Sequence, residues 1–168
     1  MTTDVMTSGP WPEPAIVDTN TIALAVIRFE GMRIEGLPAA FDASYGPVMA
    51  ALQGAGLQPV GAALAVYEGD PMAEFAVEIG FPVNAPLPEA VDLDGARVVP
   101  SNIAAGRLAV VTHVGPYDQL GAAWGRLMGW VASEQLAPGA RYGEIYVTEP
   151  TPDGDPNQLR SDLFLTLR

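Results

Sequence analysis

The 168 residues carry twenty acids against eight arginines, a net charge of −12 that repels phosphate backbones and argues against direct nucleic-acid binding. Cys and Lys are absent and His113 is the sole histidine, which excludes disulfides, Schiff-base chemistry and multi-histidine metal sites, so neither cofactor nor metal is expected. No apolar run approaches the roughly 18–20 residues that span a bilayer, and the start lacks signal-peptide regions, so the expectation is a soluble, cytoplasmic protein without membrane contact.

Residues 1–13 are rich in Pro, Thr and Gly without periodicity, and are expected to form a flexible tail before a single domain over 14–168. Ala15 to Phe29 reads as a strand, with β-branched Ile16, Val17, Val26 and Ile27. Pro38 suits a first helical turn, Phe41, Tyr45, Val48, Met49 and Leu52 recur at helical spacing, and Gly54 and Gly56 end the helix. Gly61–Tyr67 and Ala73–Phe81 read as strands joined at Gly69-Asp70-Pro71. The first unit (15–83) is thus β-α-β-β. Residues 84–105 read as a linker, with a short edge strand at Ala96–Val99. The second unit (106–168) follows the same order: strand Gly106–His113, helix Asp118–Glu134, strands Arg141–Thr148 and Asp162–Leu167.

The two units repeat in detail. Leu24-Ala25-Val26-Ile27 returns as Leu108-Ala109-Val110-Val111, and Leu57-Gln58-Pro59 through Tyr67 returns as Leu136-Ala137-Pro138 through Tyr146. The expected fold is α+β: a tandem duplication of a β-α-β-β unit with pseudo-two-fold symmetry and antiparallel sheets. The copies differ where Ala65 of the first falls opposite Glu144 of the second. Strand alternation puts Tyr142, Glu144 and Tyr146 on one face, leaving Gly143, Ile145 and Val147 to pack against helices, while Ala65 and Tyr67 occupy the matching face of the first copy. Small residues opposite a Tyr-Glu-Tyr row predict a central cavity at the junction, walled by aromatics and holding a carboxylate. Arg141 or Arg160 could pair with that carboxylate. Trp124 shares an apolar stripe with Leu120, Leu127 and Val131, serving core or cavity; Trp130 points elsewhere. His113 reads as a capping or core residue, and Glu74 and Glu78 as facing away from the helix side, toward the cavity or solvent. No Ser lies in a nucleophile-elbow context.

The ordered set His113-x-Gly115-Pro116-Tyr117, Leu120, Trp124, Trp130, Leu136-x-Pro138-Gly139, Glu144-Ile145-Tyr146, Pro150 and Leu159-Arg160-Ser161-Asp162-Leu163 resembles the GyrI-like small-molecule-binding domain, a superfamily that includes effector-binding domains of bacterial transcription activators. Residues 15–83 fit it loosely. The resemblance implies duplicated units around a ligand cavity. In its drug-sensing, multidrug-binding members a buried glutamate, matched here by Glu144 and followed by Tyr146, contacts lipophilic cations. Some stand-alone relatives are hydrolases that open cyclopropane rings of DNA alkylators, with tryptophan and glutamate matching Trp124 and Glu144. Another relative inhibits DNA gyrase. The chain departs from the regulators in lacking a helix-turn-helix, in an acidic loop from Glu149 to Asp155, and in Ser161, where threonine is common.

Three functions follow as expectations. The first is a stand-alone module that senses or sequesters amphipathic, cationic or aromatic compounds through Glu144, with Tyr117, Trp124, Tyr142, Tyr146, Tyr67 and Ala65 lining the site. The second is a hydrolase of strained electrophiles in which Glu144 and Tyr146 are catalytic. The third is an acidic inhibitor of a protein partner such as gyrase. Monomer and homodimer both remain open.

Overall fold

In the computed structural model, which describes residues 2–168, the chain divides into two compact units, one of Thr21–Ala104 and one of residues 2–20 with 105–168. The strand expected over Ala15–Phe29 is two strands that part company at Asn20 and Thr21. β1 (Ala15–Thr19) joins the second unit, and β2 (Ile22–Met32) opens the first. After β2 come α1 (Leu37–Ala55), β3 (Leu64–Gly69), β4 (Phe75–Pro82), β5 (Val91–Leu93) and β6 (Ala96–Ile103). The stretch read as a linker therefore carries a hairpin, with β6 pairing along β2. The second unit continues with β7 (Gly106–Val114), α2 (Leu120–Ser133), β8 (Pro138–Tyr146) and β9 (Arg160–Leu167).

Within each unit the pairings are antiparallel, and the four strands of the second unit match four of the five in the first. The strand order is β3-β4-β2-β6-β5 in the first unit and β8-β9-β7-β1 in the second. Register extends the match to single residues: Ala65 pairs with Ile79, which pairs with Ile27, and Glu144 pairs with Leu163, which pairs with Val111. Ala65 and Glu144 thus stand at corresponding points.

One helix covers one face of each sheet. Val48, Ala51 and Leu52 of α1 pack on Ala25, Ile27 and Val98, and α1 ends where Gly56 adopts φ 70°, a left-handed cap that glycine takes without steric cost. Ala123, Leu127 and Val131 of α2, at the i, i+4, i+8 spacing of one helical stripe, pack on Ala109, Val111, Leu163 and Leu165. Leu127 is fully buried, and burial of such a side chain contributes about 1.5–3 kcal/mol.

Because Glu144 lies level with Leu163 and Val111, the Tyr142-Glu144-Tyr146 face of β8 is the face that α2 covers. This reverses the expectation that Gly143, Ile145 and Val147 meet the helix. Ile145 is fully buried on the opposite face, level with Asp162 and Thr112.

Residues 2–13, which fall within the expected tail, touch the second unit at several points. Val5 is fully buried, Thr112 donates its backbone N–H to Trp11 O at 2.8 Å, and Trp11 N–H donates to Thr112 Oγ1 at 2.8 Å. Arg126 of α2 donates to Pro12 O at 3.0 Å. No helix among the described residues is long and apolar enough to cross a membrane.

Candidate functional site

Strand β8 supplies a carboxylate and α2 supplies its partner. Trp124 Nε1 donates to Glu144 Oε2 at 2.8 Å, and the Tyr146 hydroxyl donates to Glu144 Oε1 at 2.6 Å. An indole N–H can only donate, so the bond fixes Oε2 as acceptor. Each donor belongs to an edge-to-face ring pair. Trp124 meets Tyr142 at 5.5 Å between centroids, and Tyr146 meets Tyr117 at 5.8 Å. Such pairs contribute about 0.5–1.5 kcal/mol beyond area burial. Four of the aromatic residues singled out in the sequence therefore gather around Glu144, all within one unit.

Glu144, Tyr142, Tyr146 and Trp124 are half-buried, whereas Tyr117 is 38% exposed. Tyr117 opens a short 3-10 turn, Tyr117–Gln119, ahead of α2. Partial burial pushes its phenol above the usual tyrosine range, and the negative charge of Glu144 adds to the shift. The turn before it is held locally. His113 Nε2 lies 3.1 Å from Pro116 O, and Gly115 N–H donates to Leu159 O at 2.8 Å. His113 is thus a clasp on the Gly-Pro turn.

Ala65 and Tyr67 lie on β3 in the other unit, both buried on the α1 side, with Tyr67 edge-on to Phe75 at 5.7 Å. An open cleft of about 440 Å³ in that unit is bordered by Arg28, Glu30, Glu68 and Glu74. Its acid-and-arginine walls differ from the aromatic setting of Glu144.

Two further carboxylates are buried, of which sequence reasoning singled out Glu78 and missed Asp162. Asp162, 2% exposed, accepts from Thr112 Oγ1 at 2.7 Å and from Arg160 through Nε at 3.0 Å and Nη2 at 2.8 Å. Glu78, 7% exposed, accepts from Ser101 Oγ at 2.6 Å and Arg28 Nη1 at 2.9 Å. Both sit on the central strand of the β-α-β-β set, on the face away from the helix, opposite Thr112 and Arg28 respectively. The interval from Glu78 to Asp162 equals that from Leu24 to Leu108, a signal present in the repeat. Arg160, considered as a partner for Glu144, is committed to Asp162, and Glu78 faces away from the helix, as alternation places it, but is buried and not solvated. Among the described residues no group of three or more His, Cys, Asp or Glu side chains is arranged to hold a metal ion.

The GyrI-like small molecule binding domain family matches residues 12–168. The chain belongs to this family. Several solved structures share the GyrI-like fold with it. The crystal structure of the EcmrR C-terminal domain is 19% identical with a TM-score of 0.74, covering 93% of this chain and 97% of that one. In the EcmrR–DNA complex the identity is 17% and the TM-score 0.70, and the match covers 92% of this chain but only 57% of EcmrR. SAV2435 bound to tetraphenylphosphonium is 13% identical with a TM-score of 0.66, covering 93% and 94% of the two chains. A hydrolase encoded by lin2189 from Listeria innocua is 13% identical with a TM-score of 0.64, covering 95% and 94%. At these identities the likeness is one of fold. Among curated proteins none matches the sequence.

Proposed function

We propose that this GyrI-like domain binds lipophilic organic cations, with the Glu144 carboxylate as counter-charge and the rings of Tyr117, Trp124, Tyr142 and Tyr146 as the stacking surface. The observation that carries this reading is that both Glu144 oxygens accept from aromatic side chains, so charge and π-faces are held in one constellation. At about 4 Å and an effective dielectric near 20, opposite unit charges attract by about 4 kcal/mol. A cation over an aromatic face adds about 0.5–2 kcal/mol. A neutral ligand of equal size gains neither. The tetraphenylphosphonium complex of SAV2435, a relative in fold, supports the choice of cation class. A thermal-shift comparison of tetraphenylphosphonium with neutral triphenylphosphine oxide tests it. Saturation a hundredfold above Kd contributes about 2.7 kcal/mol, a rise of roughly 5–10 °C. Equal shifts for the two compounds would remove the charge from the account.

A second reading draws on the Trp124–Glu144 bond, which joins the two side chains that the hydrolase resemblance implicates. In it Glu144 activates water against a strained ring. Mass spectrometry of a cyclopropane-bearing alkylator after incubation decides it: a water adduct lost in Glu144→Gln supports hydrolysis, and unmodified compound rejects it.

A further inference from the structure

Ser161 places a second polar group beside the Glu144 constellation. It is fully buried on β9, and its Oγ has no hydrogen-bond partner among the described residues. Register sets it between His113 of β7 and Tyr146 of β8. The alternation that turns Leu163 and Leu165 toward α2 turns Ser161 to that same face. Directly opposed residues in an antiparallel pair stand about 4.5–5.5 Å apart at Cβ, so the hydroxyl lies at the foot of Tyr146. The groups around it are engaged elsewhere, since Tyr146 OH donates to Glu144 and His113 Nε2 meets Pro116 O.

A buried hydroxyl without a partner is disfavoured relative to a methyl group at the same point. The fold gains nothing from this oxygen, and a ligand can. We infer that Ser161 is a specificity-determining contact that hydrogen-bonds a hydroxyl or amine carried by the bound lipophilic cation. This rests on the cation reading and narrows it to cations bearing one hydrogen-bonding group at the end remote from the charge. Tyr117, the most exposed ring of the set, is paired edge-to-face with Tyr146, the residue opposite Ser161.

The test titrates tetraphenylphosphonium and (4-hydroxyphenyl)triphenylphosphonium into wild type and Ser161→Ala by calorimetry, and records the melting temperature of each unliganded protein. Wild type should bind the hydroxylated cation about threefold to tenfold more tightly, the range of one net hydrogen bond. Ser161→Ala should lose that preference, keep its affinity for tetraphenylphosphonium, and melt at the same or a higher temperature. Equal affinities in wild type, a preference that survives in Ser161→Ala, or a lowered melting temperature in the variant would each overturn the inference. Failure of both cations to bind wild type overturns the cation reading, and this inference with it.

Discussion

Trp124 on α2 and Glu144 on β8 are joined at 2.8 Å, and this bond shows which face of the strand carries the charge. The carboxylate lies under the helix, not away from it. The helix is therefore part of the site, and its packing on Val111, Leu163 and Leu165 sets where the indole N–H points.

Trp124→Phe keeps an aromatic ring and removes the donor. Hydrogen bonds to charged groups contribute about 1.5–3 kcal/mol, and the half-exposed setting places the loss near the lower end. Thermal melts should show a decrease of roughly 3–6 °C, with weaker tetraphenylphosphonium binding. An unchanged melt would mean that the bond contributes nothing in solution.

The buried pair on the other face should matter for stability alone. Asp162 side-chain exposure is 3% and that of Arg160 is 24%. Asp162→Asn leaves a guanidinium without its counter-charge, and breaking a buried pair costs about 3–5 kcal/mol, reduced here by Arg160's access to water. Denaturant unfolding should register the loss, while ligand affinity below the new transition stays at the wild-type value. A large affinity change would show that the two faces are coupled.

Much of this was legible in the sequence, and the exceptions share a cause. The repeat predicted the correspondence of Ala65 and Glu144, and alternation correctly grouped Tyr142, Glu144 and Tyr146. Alternation does not say which face the helix takes, because β7 and β9 are apolar on both sides: Val110 and Phe164 on one, Ala109, Val111, Leu163 and Leu165 on the other. Such strands read as continuous apolar runs. The same blur joined β1 to β2, since nothing between Val17 and Ile22 but Asn20 marks a break, and pairing with β7 rather than propensity separates them. Asp162 was hidden for another reason: a charge between Ser161 and Leu163 is recognisable as buried only once Thr112 and Arg160 are seen to satisfy it.

The phenol of Tyr117 gives a pH signature. Its folded-state value is raised, first by burial and then by Glu144. The unfolded chain therefore releases this proton first as pH rises past about 10, and the stability the neutral phenol contributes, complete below that pH, is lost as pH climbs toward the folded value. Melting curves across this range should fall less steeply for Tyr117→Phe. In Glu144→Gln, ultraviolet titration should find the Tyr117 transition lowered but still above the unfolded value, because burial remains. A transition unmoved by that substitution would mean the carboxylate's field does not reach Tyr117.

Calorimetric titration of tetraphenylphosphonium into wild type and Glu144→Gln tests the central claim most directly. The amide keeps the size of the side chain and an oxygen for Trp124, and removes the charge. Affinity should fall about tenfold to hundredfold, a part of the roughly 4 kcal/mol that a nearby counter-charge can supply. Equal affinities in the two proteins would contradict the assignment of Glu144 as the cation's counter-charge.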